Sequence, residues 1–387
     1  MQTLHFTSEN KLELLFCGAA FFPALLKAIK QAEREIFLET YIFSLDATAT
    51  QVKLALMQAA QRGVQVHLIS DWHGTGQNTL AELDLDLLPA GVEHRYFNPW
   101  FKRGYARSHR KLCVVDQRIA FVGGININDD LLCDFDSKHH LPAPRWDFAV
   151  QLEGPLVYTI WIEASAQWQR LGKLDWQTFL AKHRKLPRLK KSGHPSATLA
   201  TLIVRDNFRN RRTIQMAYLE AMKTARSRIL LATPYFAPGR KFIQALAAAA
   251  QRGVKVTLLI GVGQFRLQDA VAHSFYPKLL KSGVHLVEYR KTQLHGKVAV
   301  VDDEWATVGS SNCDGLSLFL NQEANLVVKD VAFAKQLKRH IQDAVADGVV
   351  IKASDYANLS WTKRAWYGSA FWIYKSLMRI VTFGQYG

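Results

Sequence analysis

The chain repeats itself. Residues 28–43, AIKQAEREIFLETYIF, align without a gap to residues 221–236, AMKTARSRILLATPYF, 193 positions later. AAQRGVQVHLIS at 59–70 returns as AAQRGVKVTLLI at 249–260, and AGVEHRYF at 90–97 as SGVHLVEY at 282–289. Each of these copies ends a helix, turns, and enters an apolar strand. Gly63 and Gly253 fit the left-handed cap that closes a helix. Strand and helix alternating in this order predict α/β layers with a mostly parallel sheet in each half. Segments repeated in one order at a near-constant offset mark a duplication. A duplicated chain tends to place its site where the halves meet.

The 387 residues suit about two domains, and 49% apolar content lets both halves bury cores, which excludes a disordered chain. Lys and Arg outnumber Asp and Glu by 49 to 33, a net charge of +16. That surplus predicts a polyanionic partner: nucleic acid, anionic lipid or a phosphorylated substrate. Cys17, Cys113, Cys133 and Cys313 form no C-x-x-C pair, so reduced thiols and no cysteine-built zinc site are expected. No basic-then-apolar leader and no uncharged apolar stretch of about 18 residues is present, so neither a signal peptide nor a membrane span is expected.

The chemistry lies in a fourth repeat. SHRKLCVVDQRIAFVGGIN at 108–126 matches LHGKVAVVDDEWATVGSSN at 294–312. In each, His is followed two residues later by Lys and five further on by Asp. After six more residues comes a small pair, then an Asn one residue beyond. Positions i and i+2 of a strand share a face, so His109 points with Lys111 and His295 with Lys297. Asp116 and Asp302 open polar turns, and the returning strands bring Gly123-Gly124 with Asn126, and Gly309-Ser310 with Asn312, back to the His-Lys end. Two His, two Lys and two Asn gathered by twofold symmetry make a phosphate site. Lysines neutralise oxygens, while Asn amides and the backbone N–H groups at Gly124 and Ser310 donate. One imidazole attacks phosphorus and the other protonates the leaving oxygen. By parity the two Asp fall on the far side of the strand or in the turn, which favours a turn-stabilising role for them.

The paired H-x-K-x4-D motif resembles that of the phospholipase D superfamily over nearly the whole chain. GSSNCDGLSLFLNQEANLVV at 309–328, DFAVQLEGP at 147–155 and ETYIF at 39–43 resemble its bacterial cardiolipin synthase branch, particularly the short B type without N-terminal membrane helices. The resemblance implies two homologous α/β/α sandwich domains related by a pseudo-twofold, with the active site between them. It carries a catalytic set onto His109, Lys111, Asp116, His295, Lys297 and Asp302. His109 would be the nucleophile that forms a phosphohistidine and His295 the acid and base, an order that local sequence leaves reversible. A covalent histidine needs a carboxylate on its other nitrogen. Glu323 fits this role in the second half and Asp147 in the first. The implied reaction is transphosphatidylation: two phosphatidylglycerols give cardiolipin and glycerol, with no metal or other cofactor. The implied partners are phosphatidylglycerol, other anionic phospholipids and the membrane surface, not nucleic acid. The implied place is the cytoplasmic face of the bacterial inner membrane. A phospholipid hydrolase is the nearest alternative, with a nuclease or a non-catalytic membrane scaffold behind it.

The expected layout is one domain over 1–180, a basic linker at 181–200, a second domain over 201–355 and an aromatic-basic tail at 356–387. In the tail, Trp361, Trp366, Tyr367, Phe371, Trp372 and Tyr374 interleave with Lys363, Arg364, Lys375 and Arg379. Such a segment reads as an in-plane membrane anchor or as a helix packed on the protein. Residues 99–105, PWFKRGY, read equally as a second membrane-facing loop or a plain active-site loop. Asp71, at a strand end, is a candidate contact for a polar headgroup. His139 and His140 read as solvated loop.

Overall fold

The computed structural model describes residues 4–134, 136–172, 198–357, 359–382 and 386. The expected linker therefore lies, up to residue 197, outside the described residues.

The first half lays down β1 (Lys11–Phe16), β2 (Glu35–Thr40), β3 (Gln65–Asp71), β4 (Glu93–Phe97), β5 (Leu112–Val115) and β6 (Ile119–Gly123). A small pair follows, β7 (Leu132–Cys133) with β8 (Asp136–His140), and then β9 (Phe148–Glu153). The second half follows with β10 (Leu199–Arg205), β11 (Arg228–Thr233), β12 (Phe236–Ala237), β13 (Lys255–Gly261) and β14 (His285–Tyr289). It ends with β15 (Lys297–Val301), β16 (Trp305–Gly309), β17 (Cys313–Asp314), β18 (Glu323–Lys329) and β19 (Val349–Ile351).

The sheets run β1-β9-β6-β5-β2-β3-β4 and β10-β18-β16-β15-β11-β13-β14-β19. They match position by position, with β19 added at one edge. Only β2-β3-β4 and β11-β13-β14 are parallel. The other neighbours are antiparallel, so the sheets are mixed rather than mostly parallel. The cause is the hairpin each motif forms, which reverses the chain and brings the last and first strands in against it. His139 and His140 are exposed on β8 rather than in loop.

Both faces of each sheet are covered. In β2, Ile36 and Leu38 face outward into a core with Phe21, Leu25, Val52 and Leu83, from helices Cys17–Lys30, Ala47–Gln61 and Gln77–Leu87. Phe37 faces the other way. The inner face of the first sheet, with Val122, Phe148, Val150 and Leu152, shares one core with Val298, Val308 and Leu326 of the second. Helices Leu156–Leu171 and Val331–Ala346 close that middle layer. Double burial explains why these strands read as continuous apolar runs without alternation.

Candidate active site

Each motif hairpin is anchored at the end away from its histidine. Asp116 and Gln117 both have positive φ, 52° and 55°, as do Asp302 and Asp303, 53° and 59°. Non-glycine residues adopt this conformation at a cost, and the carboxylates offset it. Asp116 accepts backbone N–H bonds from Glu33, Arg34 and Glu35 at 2.8–3.0 Å. Asp302 accepts those of Arg226, Ser227 and Arg228 at 2.7–3.0 Å. Asp116 lies five residues along the strand from Lys111, about 17 Å at strand rise. The carried-over catalytic set is corrected here: neither Asp reaches the site, and both tie the hairpin to the strand beside it.

At the other end the halves cross. His109 N donates to Gln322 O, and Gln322 N to Arg107 O, both at 2.8 Å. In the mirrored arrangement Trp146 N donates to Gln293 O at 3.0 Å, and His295 N and Gly296 N to Trp146 O at 2.9 and 2.8 Å. Each H-x-K segment thus lies across the residue that opens the other half's carboxylate strand. The carboxylates follow. His109 Nδ1 sits 3.0 Å from Glu323 Oε2, and His295 Nδ1 sits 2.5 Å from Asp147 Oδ2. The expectation that each carboxylate serves its own half is corrected: the pairing is exchanged, because the bridging backbone bonds run between halves.

All six groups are buried. Burial pushes His109 down to about 4, with Lys111 and Lys297 acting the same way against Glu323. Burial also lowers His295, helped by Lys297 and opposed by Asp147. Burial works against the Asp147 carboxylate, but Lys297 and His295 outweigh it and hold its pKa below the ordinary value. Lys111 is lowered to about 7 by burial and by Lys297, and Lys297 to about 8 by burial. The Nδ1–H of each histidine donates to its carboxylate. That leaves a free lone pair on His109 Nε2, while His295 Nε2, 3.9 Å from Asp134 Oδ2, is placed to carry a proton. Each lysine Nζ donates to the carbonyl of its own histidine two residues back.

Asn126 and Asn312 are buried, and their Oδ1 atoms have no partner among the described residues. An open amide oxygen accepts, so these two fit a ligand hydroxyl, while the Nδ2 groups of the same amides can donate to a phosphate oxygen. Gly124 and Ser310 do not offer phosphate-binding amides. Gly124 N donates to Phe148 O at 2.8 Å and Ser310 N to Ala324 O at 3.0 Å. A Cβ on Gly124 would lie 2.3 Å from Asp147 Oδ1. The glycine makes room for the carboxylate that holds His295, while Ser310 Oγ donates to Glu323 Oε2. The small pair therefore serves the carboxylates. Asp71 is likewise spent on backbone: it accepts from His73 and Gly74, and from Ser108 N at 2.7 Å, fixing the residue before His109.

Two site residues escaped the sequence. The Tyr41 ring lies 4.9 Å from that of His109, edge-on, with Lys111 Nζ 5.2 Å from its centroid. Asp134 Oδ2 lies 3.9 Å from His295 Nε2. Arg145 and Asn128 hold its other oxygen at 3.0 and 2.7 Å, and Gln293 holds Oδ2 at 3.0 Å. Burial would raise Asp134, but Arg145 and His295 outweigh it and hold it at about 2. Its signal was a length difference: 21 residues separate Asn126 from Asp147, but 11 separate Asn312 from Glu323.

A duplicated mixed α/β fold with one imidazole, one lysine and one carboxylate from each half at their junction is that of an enzyme of the phospholipase D superfamily. The family model described as "Cardiolipin synthase, PLD-like domain" matches residues 25–134 and 218–345, and the chain belongs to that family. Cardiolipin synthase B of Salmonella typhi is 36% identical over 92% of this chain and 85% of its own. The Escherichia coli K12 protein of the same name is 37% identical over 87% and 81%. Cardiolipin synthase 1 of Bacillus cereus is 29% identical over 96% and 72%. Among solved structures, phosphatidylserine synthase of Haemophilus influenzae Rd KW20 shares the fold, with a TM-score of 0.66 and 16% identity over 98% of this chain and 95% of that one.

Proposed function

We propose that the protein makes cardiolipin from two phosphatidylglycerols through a phosphohistidine. It would work as a peripheral protein at the cytoplasmic face of the bacterial inner membrane. The observation that carries the reading is the exchanged pair His109–Glu323 and His295–Asp147, with Lys111 and Lys297 buried beside it. His109, held neutral, attacks phosphorus through Nε2. The bond from phosphorus to the headgroup oxygen breaks, and His295 gives that oxygen its proton, releasing glycerol. A hydroxyl of the second phosphatidylglycerol then returns a proton to His295 and attacks phosphorus. The N–P bond breaks and His109 is restored. Asp134, beside His295 Nε2, favours the protonated form of that ring and so supports this order over its reverse. The lysines balance the phosphodiester charge, and the Nδ2 amides of Asn126 and Asn312 donate to its oxygens.

Membrane docking is supported by two exposed aromatic surfaces. Trp100, Phe101 and Tyr105 are exposed on the loop that leads into Ser108, one residue before His109. The helix Trp361–Val381 buries Ala370 and Met378 and exposes Trp366, Trp372, Ile373, Leu377 and Ile380. No helix among the described residues is long and apolar enough to cross a membrane.

The test is product analysis on phosphatidylglycerol vesicles without metal or nucleotide, beside His109→Ala and His295→Ala. Cardiolipin and free glycerol, lost in both variants, is the expected result. Phosphatidic acid alone would make the protein a hydrolase. Cleavage of single-stranded DNA with no lipid turnover would overturn the lipid reading.

A further inference from the structure

The terminal helix packs on the helix Arg266–Lys281 through Ala370, Tyr367 and Phe371. Between it and the helices Arg240–Gln251 and Arg266–Lys281 runs an open groove of about 1170 Å³. Its floor is apolar, with Ile243, Phe275, Tyr367 and Phe371. Its walls carry Arg240, Lys278, Lys281, Lys375 and Arg379. No carboxylate lines it, and none of these five cations has an ion-pair partner among the described residues. The nearby Glu288 is engaged by Arg290 and His273 instead. The groove begins at Pro238 and Gly239, directly after β12. The partner strand of β12 is β17, which starts beside Asn312.

Five cations without an ion-pair partner among the described residues, around one apolar channel, call for an amphipathic anion. Nucleic acid would satisfy the charge but not the floor, and an apolar peptide the floor but not the charge. We infer that this groove is a second binding site, separate from the catalytic centre, for one anionic phospholipid of the bilayer. The cations take its headgroup phosphate, and an acyl chain lies along Ile243, Phe275 and Phe371. Such a lipid would hold the terminal helix against the membrane beside the site. The inference rests on the membrane reading above, but its readout is binding and not turnover.

Gly368 gives a test that leaves every charge in place. It lines the groove, and a Cβ there meets nothing within 4 Å. Gly368→Trp therefore fills the channel without a core clash. In a His109→Ala/His295→Ala background, which keeps the lipid composition fixed, flotation is measured on phosphatidylcholine vesicles with and without phosphatidylglycerol. Removing three cations (Lys278→Gln/Lys281→Gln/Lys375→Gln) is expected to lower partitioning on the anionic vesicles on the order of 100-fold, at about 1 kcal/mol per basic residue. Gly368→Trp is expected to weaken the same binding and leave that to pure phosphatidylcholine unchanged. Native mass spectrometry should show one fewer retained phosphatidylglycerol. If Gly368→Trp binds and retains lipid like its parent while the triple variant weakens, the cations act only as a diffuse surface field and the site is overturned. A dimer that dissociates on Gly368→Trp would make the groove a contact between copies, which also overturns it. Absence of cardiolipin in the product assay would sink the transferase reading and leave this binding result standing.

Discussion

At the scale of the residue, the exchanged carboxylates decide which histidine each acid serves. Glu323→Gln removes the negative charge beside His109 Nδ1, which keeps Ser310 O as an acceptor at 2.9 Å, and Asp147→Asn removes the charge beside His295 Nδ1. Each is expected to lower kcat about 10²- to 10⁴-fold, the range set by loss of a histidine-orienting carboxylate. Histidine side-chain nitrogen NMR separates the pairings. Glu323→Gln should disturb the His109 ring and leave His295 near its parent state, and Asp147→Asn the reverse. The opposite pattern would contradict the exchange. The pH profile follows from the same groups. His109, held near 4, loses its nucleophilic lone pair as pH falls through that value. Lys111 and Lys297, lowered to about 7 and 8, lose their charges as pH rises through those values in the free protein. His295, lowered by burial, must keep the proton it gives, so its deprotonation sets a first decline as pH rises. So kcat/KM for dispersed phosphatidylglycerol should fall below about 4, decline as His295 loses its proton, and fall further above about 7 to 8. A profile still climbing above pH 8 would remove the lysines from phosphate binding.

At the scale of the element, the motif is a hairpin with its chemistry at one end and its clamp at the other. Asp116→Ala takes the acceptor from three backbone N–H groups, Glu33 and Arg34 before β2 and Glu35 at its start. That should cost about 3 kcal/mol of stability by denaturant unfolding, while the folded fraction keeps its kcat. Lost turnover at unchanged stability would put Asp116 back in the chemistry. The turn role of this Asp was legible from parity alone, as was the shared face of His and Lys. The repeat offsets implied that the two sheets would match each other, but not their strand order, and the mostly parallel sheet expected in each half is mixed. The exchange was not legible, because spacing within a copy fixes position along a strand but not which copy's strand lies across it. The part played by Gly124 was invisible for the same reason: its neighbour is Asp147, 23 residues on, and only the folded sheet brings them together. Asp134 stayed hidden because a lone acid in a polar segment looks like solvated loop until Arg145 and His295 are seen around it.

At the scale of the molecule, the two halves have one inner core and one site, so neither is complete alone. Val122, Phe148, Val150 and Leu152 are covered by Val298, Val308 and Leu326. An isolated half would expose that face to water, at about 25 cal/mol for each Å² uncovered. It would also leave His109 without Glu323, or His295 without Asp147. Residues 1–180 and 181–387 expressed separately are therefore expected to be aggregation-prone and inactive. Expressed together as two chains, they should assemble through the shared sheet faces and recover lipid turnover. His109→Ala in the first piece should abolish that recovery, and so should Glu323→Gln in the second. If the first piece alone turned over phosphatidylglycerol, a complete site would exist within one half, and the exchange of carboxylates would not be what makes the site work.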